Sequence, residues 1–190
     1  MNQLLVTAFN MVTSFAMLLI FIRFMMQFAG INARNPYAEP AYKATQVVDM
    51  FGRIFPTIGD GRISLAAIVL MFLIRLIDLA GNALLNHHSY NPLELFFEGS
   101  LSLIIDFLSM CRYVIIGSII VSWIVVFTNS MHPIIDIIMQ LAEPILAPFR
   151  KITPNLGMID LSPMIAFFVL ILAEQALSIV ADNMLPMVMG

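Results

Sequence analysis

Residues 132–163, HPIIDIIMQLAEPILAPFRKITPNLGMIDLSP, are too punctuated by proline to cross a membrane and too apolar for an ordinary loop. They lie between two long hydrophobic runs, 113–127 and 161–180, and a weaker copy of the arrangement occupies residues 35–64 between two further runs. A chain built this way reads as two copies of one unit: a span, an amphipathic interfacial segment, and a second span. Four runs of that length are hard to bury in any soluble fold of this size.

Composition points the same way. Apolar residues make up 61% of the chain and charged residues 11%, against roughly 45–50% and about 25% in soluble domains. The expected class is therefore an all-α, polytopic membrane protein with four transmembrane helices in two parallel repeats. The repeats are expected over residues 1–90 and 91–190. No basic patch suited to nucleic acid is present. The single cysteine, Cys111, excludes an internal disulfide and reads as a small apolar residue within a span. The first hydrophobic run lacks a charged leader and carries Arg23 where a cleavage site would be sought, so it is expected to be retained.

In chain order, residues 4–28 are long enough for a hydrocarbon core of about 30 Å. Residues 42–53 place Lys43, Gln46, Asp49 and Arg53 in a helical stripe beside Val47, Val48, Met50 and Phe51, which predicts an amphipathic helix at the interface. Pro56, Gly59 and Gly61 end it, and residues 63–85 form the second span. The third crossing is expected at 109–127, with 93–108 as a preceding interfacial or partly buried helix. Residues 132–150 repeat the amphipathic pattern, with Pro144 and Pro148 expected to bend or divide it. Residues 161–183 form the fourth span. Gly117 and Ser118 are small enough to support close helix packing or self-association.

The duplication can be tested by counting. Adding 97 takes Pro36 to Pro133, Glu39 to Asp136, Lys43 to Gln140, Gln46 to Glu143 and Arg53 to Arg150. After a one-residue insertion, adding 98 takes Pro56 to Pro154, Gly59 to Gly157 and Ser64 to Ser162. The Lys and Arg residues outside the spans cluster in the two repeat loops, which the positive-inside rule places in the cytoplasm with both termini outside. Arg112 is the exception, expected near the outer end of span three.

Ionisable groups in spans are costly in hydrocarbon and should be paired or face a polar cavity. Arg75 and Asp78 can pair at i, i+3. Glu174 has no local partner, so Arg23 or Arg75 is expected to reach it. A structural pair is favoured over a transport path. Asp160 or Ser162 should cap the fourth span, with Pro163 in its first turn; an Arg62–Asp160 pair across the repeats is an alternative. Arg150 and Lys151, with Arg53 in the equivalent place, read as topological anchors, or else as contacts for anionic lipid or a partner. His87 and His88 lack the further ligands that a metal or haem site needs, and no cofactor or catalytic motif is found, so an enzyme is not expected.

The run LAEPILAPFRKITPNLGMIDLSP resembles the signature of the YggT family of small bacterial and plastid membrane proteins. The second unit supplies Pro144, Pro148, Arg150, Lys151, Pro154, Gly157, Asp160, Ser162 and Pro163. The first supplies Asn35, Pro36, Arg53, Pro56, Gly59 and Ser64, and departs with Arg62 in place of Asp160 and Leu65 in place of Pro163. The resemblance implies a bacterial cytoplasmic-membrane factor linked to osmotic-stress tolerance and potassium supply, working through lipid, other membrane proteins or self-association. It also implies two alternatives: an ion transporter, or an assembly factor for a cytochrome or cell-division complex.

Overall fold

The computed structural model describes residues 2–86, 91–153 and 160–189, without side-chain detail at Asn2 and 184–189. Its helices are α1 (Asn2–Phe28), α2 (Glu39–Ala44), α3 (Val47–Phe51), α4 (Leu65–Leu85), α5 (Pro92–Thr128), α6 (Pro133–Arg150) and α7 (Ser162–Met189). Four of them, α1, α4, α5 and α7, are long and apolar enough to cross a membrane. Their outward faces expose Met11, Phe15, Ile77, Val126, Phe168 and Leu172, as suits helices whose surroundings are lipid. The chain is a multi-pass, all-α membrane protein.

Within each half, the first span packs on the second: α1 on α4, and α5 on α7. Contacts between α4 and α5 join the halves. Phe21, Met25, Val48, Ala67, Ile115, Ala142 and Ala166 lie in one buried cluster that draws on six helices. The closest approaches use glycine. A methyl group on Gly81 would lie 2.3 Å from Phe9 Cζ, and one on Gly99 would lie 2.8 Å from Leu76 Cδ2. Gly117, the glycine expected to pack closely, has room for a methyl group, its nearest neighbour being Ile138 Cγ2 at 3.9 Å. Ser118 beside it is buried and donates to the Ile115 carbonyl.

The two loops reuse local devices in the register read from the sequence. Asn35 Oδ1 accepts from the Tyr37 N–H at 3.0 Å, and His132 Nδ1 accepts from the Ile134 N–H at 3.3 Å. Four residues on, Lys43 meets Glu39 at 2.6 Å and Gln140 donates to Asp136 at 2.7 Å. Both pairs of motifs are 97 residues apart. Ser64 caps α4 by accepting from the Ala67 N–H at 3.2 Å, and the Ser162 N–H at the start of α7 donates to Asp160 at 2.9 Å.

Three expectations are corrected. Residues 93–108 do not form a separate interfacial helix: α5 runs unbroken for 37 residues, about 55 Å at 1.5 Å per residue. Its N-terminal half packs inward, with Gly99 on Leu76 and Phe107 edge-on to Phe21 and Phe24 at 5.3 and 5.6 Å. Adding 97 to the bounds of α1 places the equivalent crossing at 99–125, not 109–127. The single amphipathic helix expected over 42–53 is two short helices. Thr45 ends α2, its hydroxyl donating to the Ala41 carbonyl at 2.7 Å. Conversely, Pro144 and Pro148 lie inside α6 and do not divide it. Pro144 cannot donate to the Gln140 carbonyl, but Gln140 is exposed, so that acceptor stands at the solvated side.

Thr57–Ile58 and Ile63–Ser64 pair as a small antiparallel hairpin, β1 and β2. Gly59 and Gly61 take φ of +63° and +81° at its turn, a backbone region that glycine occupies without a Cβ penalty. Gln27 at the end of α1 donates to the Gly61 carbonyl at 2.8 Å, fixing the hairpin against the span.

Candidate functional site

The most polar locus between the spans lies midway along α4. Arg75, eleventh of the 21 residues of α4, places Nη1 3.1 Å from Asp78 and 3.4 Å from Asp106 of α5. Its Nε donates to Ser102 Oγ at 2.9 Å. Asp78 also accepts from Thr13 of α1 at 2.6 Å. Below it Asn82 donates to Asn10 at 2.8 Å and to the Asp78 carbonyl at 2.9 Å. A cavity of about 130 Å³ opens beside Arg75, Asp78 and Asp106, with Thr13 and Ser14 on its α1 wall. Local pairing of Arg75 with Asp78 follows from their i, i+3 spacing; recruitment of Asp106 does not, because it depends on how α5 is rotated.

A second pair joins α5 to α7. Glu174 Oε2 lies 3.3 Å from Arg112 Nη2, while its Oε1 is buried without a hydrogen-bond partner. This replaces the expected Arg23 or Arg75 partner, and it moves Arg112 from the outer end of a span to the middle of α5. The third crossing begins about ten residues before 109, which puts Arg112 well inside it.

Arg23, at the loop end of α1, is the most buried of the described arginines that pair. Its guanidinium lies over the Tyr42 ring, 4.0 Å from the centroid, and it forms an ion pair with Asp49. One side chain thus holds both α2 and α3 against the span. Burial raises the Tyr42 hydroxyl above its ordinary value; the Arg23 charge opposes that shift and Asp49 adds to it. The neutral phenol donates to the Ile31 carbonyl at 2.8 Å.

Arg150, at the end of α6, joins Glu143 of its own helix to Asp160 ahead of α7, the latter at 3.0 Å. Asp160 therefore meets Arg150, not Arg62. Partial burial works against the Asp160 charge, but the bonds from Ser162 and Arg150 outweigh it and hold this carboxyl below its ordinary value. Burial likewise opposes the Arg150 charge, and its two carboxylate partners raise it on balance. Arg150 is thus engaged within the chain, whereas Lys151 and Arg53 are exposed. Pro56 and Gly59 belong to the hairpin approach, Ser162 is buried, and Pro163 stands in the first turn of α7. Pro154, Gly157, His87 and His88 lie outside the described residues. Among the described residues no three His, Cys, Asp or Glu side chains are placed to share a metal ion.

The CCB3/YggT family model matches residues 2–85 and again 97–181, in step with the two structural halves. The chain belongs to the CCB3/YggT family. Its relatives include a Pseudomonas aeruginosa protein, 31% identical over 165 residues that span 85% of this chain and 82% of its own. A Haemophilus influenzae protein is 31% identical over 155 residues, 81% and 80% of the two chains. YggT of Escherichia coli K12 is 28% identical over 173 residues, 90% and 86%. No solved structure matches the chain. The second family segment begins at residue 97, inside the stretch first expected to precede the crossing.

Proposed function

We propose that this CCB3/YggT protein is a non-enzymatic factor of the bacterial cytoplasmic membrane that supports osmotic-stress tolerance and potassium homeostasis through partner proteins or lipid. The observation that carries this reading is the pairing of charge between the spans. Arg75 of α4 meets Asp106 of α5, and Arg112 of α5 meets Glu174 of α7, as expected of side chains that join helices and not of groups lining a continuous aqueous pore. In this reading both repeat loops face the cytoplasm and both termini lie outside. Helix α6 lies along the interface, its Asp136, Gln140 and Glu143 exposed opposite buried Ile137, Ala142 and Leu146. Arg53 and Lys151 are then exposed cations available to lipid headgroups or a partner.

The rival reading, an ion transporter, draws support from the cavity beside Arg75, Asp78 and Asp106. A deletion strain under hyperosmotic shift tests the leading reading. Wild-type protein should restore growth, and Arg53→Ala/Lys151→Ala should fail despite equal insertion. Full rescue by that variant would remove the basic loops from the mechanism, and a deletion strain that tolerates the shift would remove the osmotic role.

A further inference from the structure

We infer that the cavity between α1, α4 and α5 holds one monovalent cation, a proton or an alkali ion, reached from only one face of the membrane. The argument begins with charge. One guanidinium, Arg75, faces two carboxylates, Asp78 and Asp106, which leaves one negative charge at mid-span, where an uncompensated charge is costly. These are the charged groups acting on Asp106; α1 contributes Thr13 and Ser14, which do not titrate in this range. Asp78 is well satisfied, accepting from Arg75, Thr13 and Asn82. Asp106 has the longer contact to Arg75 and retains free acceptor capacity beside the cavity.

A second observation, separate from the carboxylates, gives access. Arg75, Asp78, Asn82 and Asn86 recur along α4 on one stripe, and successive members are bonded: Asn86 to the Asn82 carbonyl at 2.9 Å, and Asn82 to the Asp78 carbonyl. From Arg75 to Asn86 the stripe rises through 11 steps, about 16 Å, or half of a hydrocarbon core of about 30 Å. It ends at exposed Asn86. On α1, Asn10 and Thr13 face it, and Ser14 lines the cavity. Toward the opposite face the α1–α4 contact is apolar, with Met17, Ile20, Phe21, Leu70 and Met71 buried there, and the Arg112–Glu174 pair lies on the α5–α7 side. Polar groups therefore lead in from the side bearing the start of α1 and the end of α4, and an apolar seal closes the other side. Such a site takes up a cation without conducting it, so flux measurements and the binding test below report on separate claims.

The test uses the full chain in lipid nanodiscs, with Tm as the readout. Choline chloride is replaced by sodium or potassium chloride at constant ionic strength, and separately the choline sample is taken from mildly alkaline to mildly acidic pH. A saturable rise in Tm with an alkali salt, reduced in Asp106→Asn and kept in Asp106→Glu, identifies an alkali ion. A rise with acid alone, showing the same dependence on Asp106, identifies a proton. Equal responses of wild type and Asp106→Asn in both arms would overturn the proposal. In a Cys111→Ala background, Asn82→Cys should react with a membrane-impermeant cationic thiol reagent from one face only, and Met71→Cys should not react from that face. Reaction of Met71→Cys there would overturn the seal.

Discussion

Glu174 and Arg112 face each other across α7 and α5 at 3.3 Å, the one ion pair among the described residues that ties the two spans of the second half together. Neither residue has a charged counterpart in the first half: the repeat offsets take Arg112 back to Phe15 and Glu174 back to Leu76. The two halves share a fold and loop devices but are held together by different charges.

Glu174→Gln should leave Arg112 charged among the spans without its counter-ion. The expected loss is about 2–3 kcal/mol, below the usual cost for a fully buried pair because Arg112 keeps some exposure. Replacing both, as Arg112→Met/Glu174→Leu, should recover most of it. Denaturation of the four proteins in micelles, treated as a double-mutant cycle, measures the coupling.

Gly81→Ala should force α1 away from α4, since the new methyl group would fall on the Phe9 ring. A loss of about 1–3 kcal/mol is expected from such overpacking, and Phe9→Ala in the same chain should relieve it. Gly117→Ala, with open space at that position, should be neutral or stabilising by up to about 1 kcal/mol. Thermal unfolding of the three variants checks both.

Arg23→Lys should loosen α2 and α3 even though the charge is retained. A lysine cannot both stack on Tyr42 and reach Asp49 as the planar guanidinium does. Hydrogen exchange should accelerate over residues 39–51 and stay unchanged in α7.

The Arg150–Asp160 contact should respond to acid. Because the folded Asp160 carboxyl sits below its ordinary value of 3.8, its contribution is present above that pH and is lost as the pH falls through the lower, folded value. Both side chains are more than 40% exposed, so the effect should stay within about 1 kcal/mol and weaken with salt. Asp160→Asn should abolish this part of the pH dependence, read from stability between pH 5 and strongly acid conditions.

What could be read from the sequence was whatever repeats or recurs within a turn of helix. The offset of 97 links Glu39 and Lys43 to Asp136 and Gln140 in the sequence itself, and the same offset joins the Asn35 and His132 caps. The Arg75–Asp78 pair followed from spacing alone. The partner of Glu174 did not, because it depends on the rotation of α5 about its own axis. The continuity of α5 was hidden too. Its apolar stretch is longer than one crossing needs, and length alone does not say whether the excess lies flat or extends the span. The hairpin at residues 57–64 was missed because its strands are only two residues each, too short for alternation to register.

Potassium flux into liposomes containing the purified, correctly inserted protein tests the central claim most directly, with Glu174→Gln and Asp106→Asn measured alongside. Paired charges and an apolar seal predict no flux above empty liposomes for any of the three. Flux in the wild type that falls in either variant would contradict the account and make the mid-span charges a pathway.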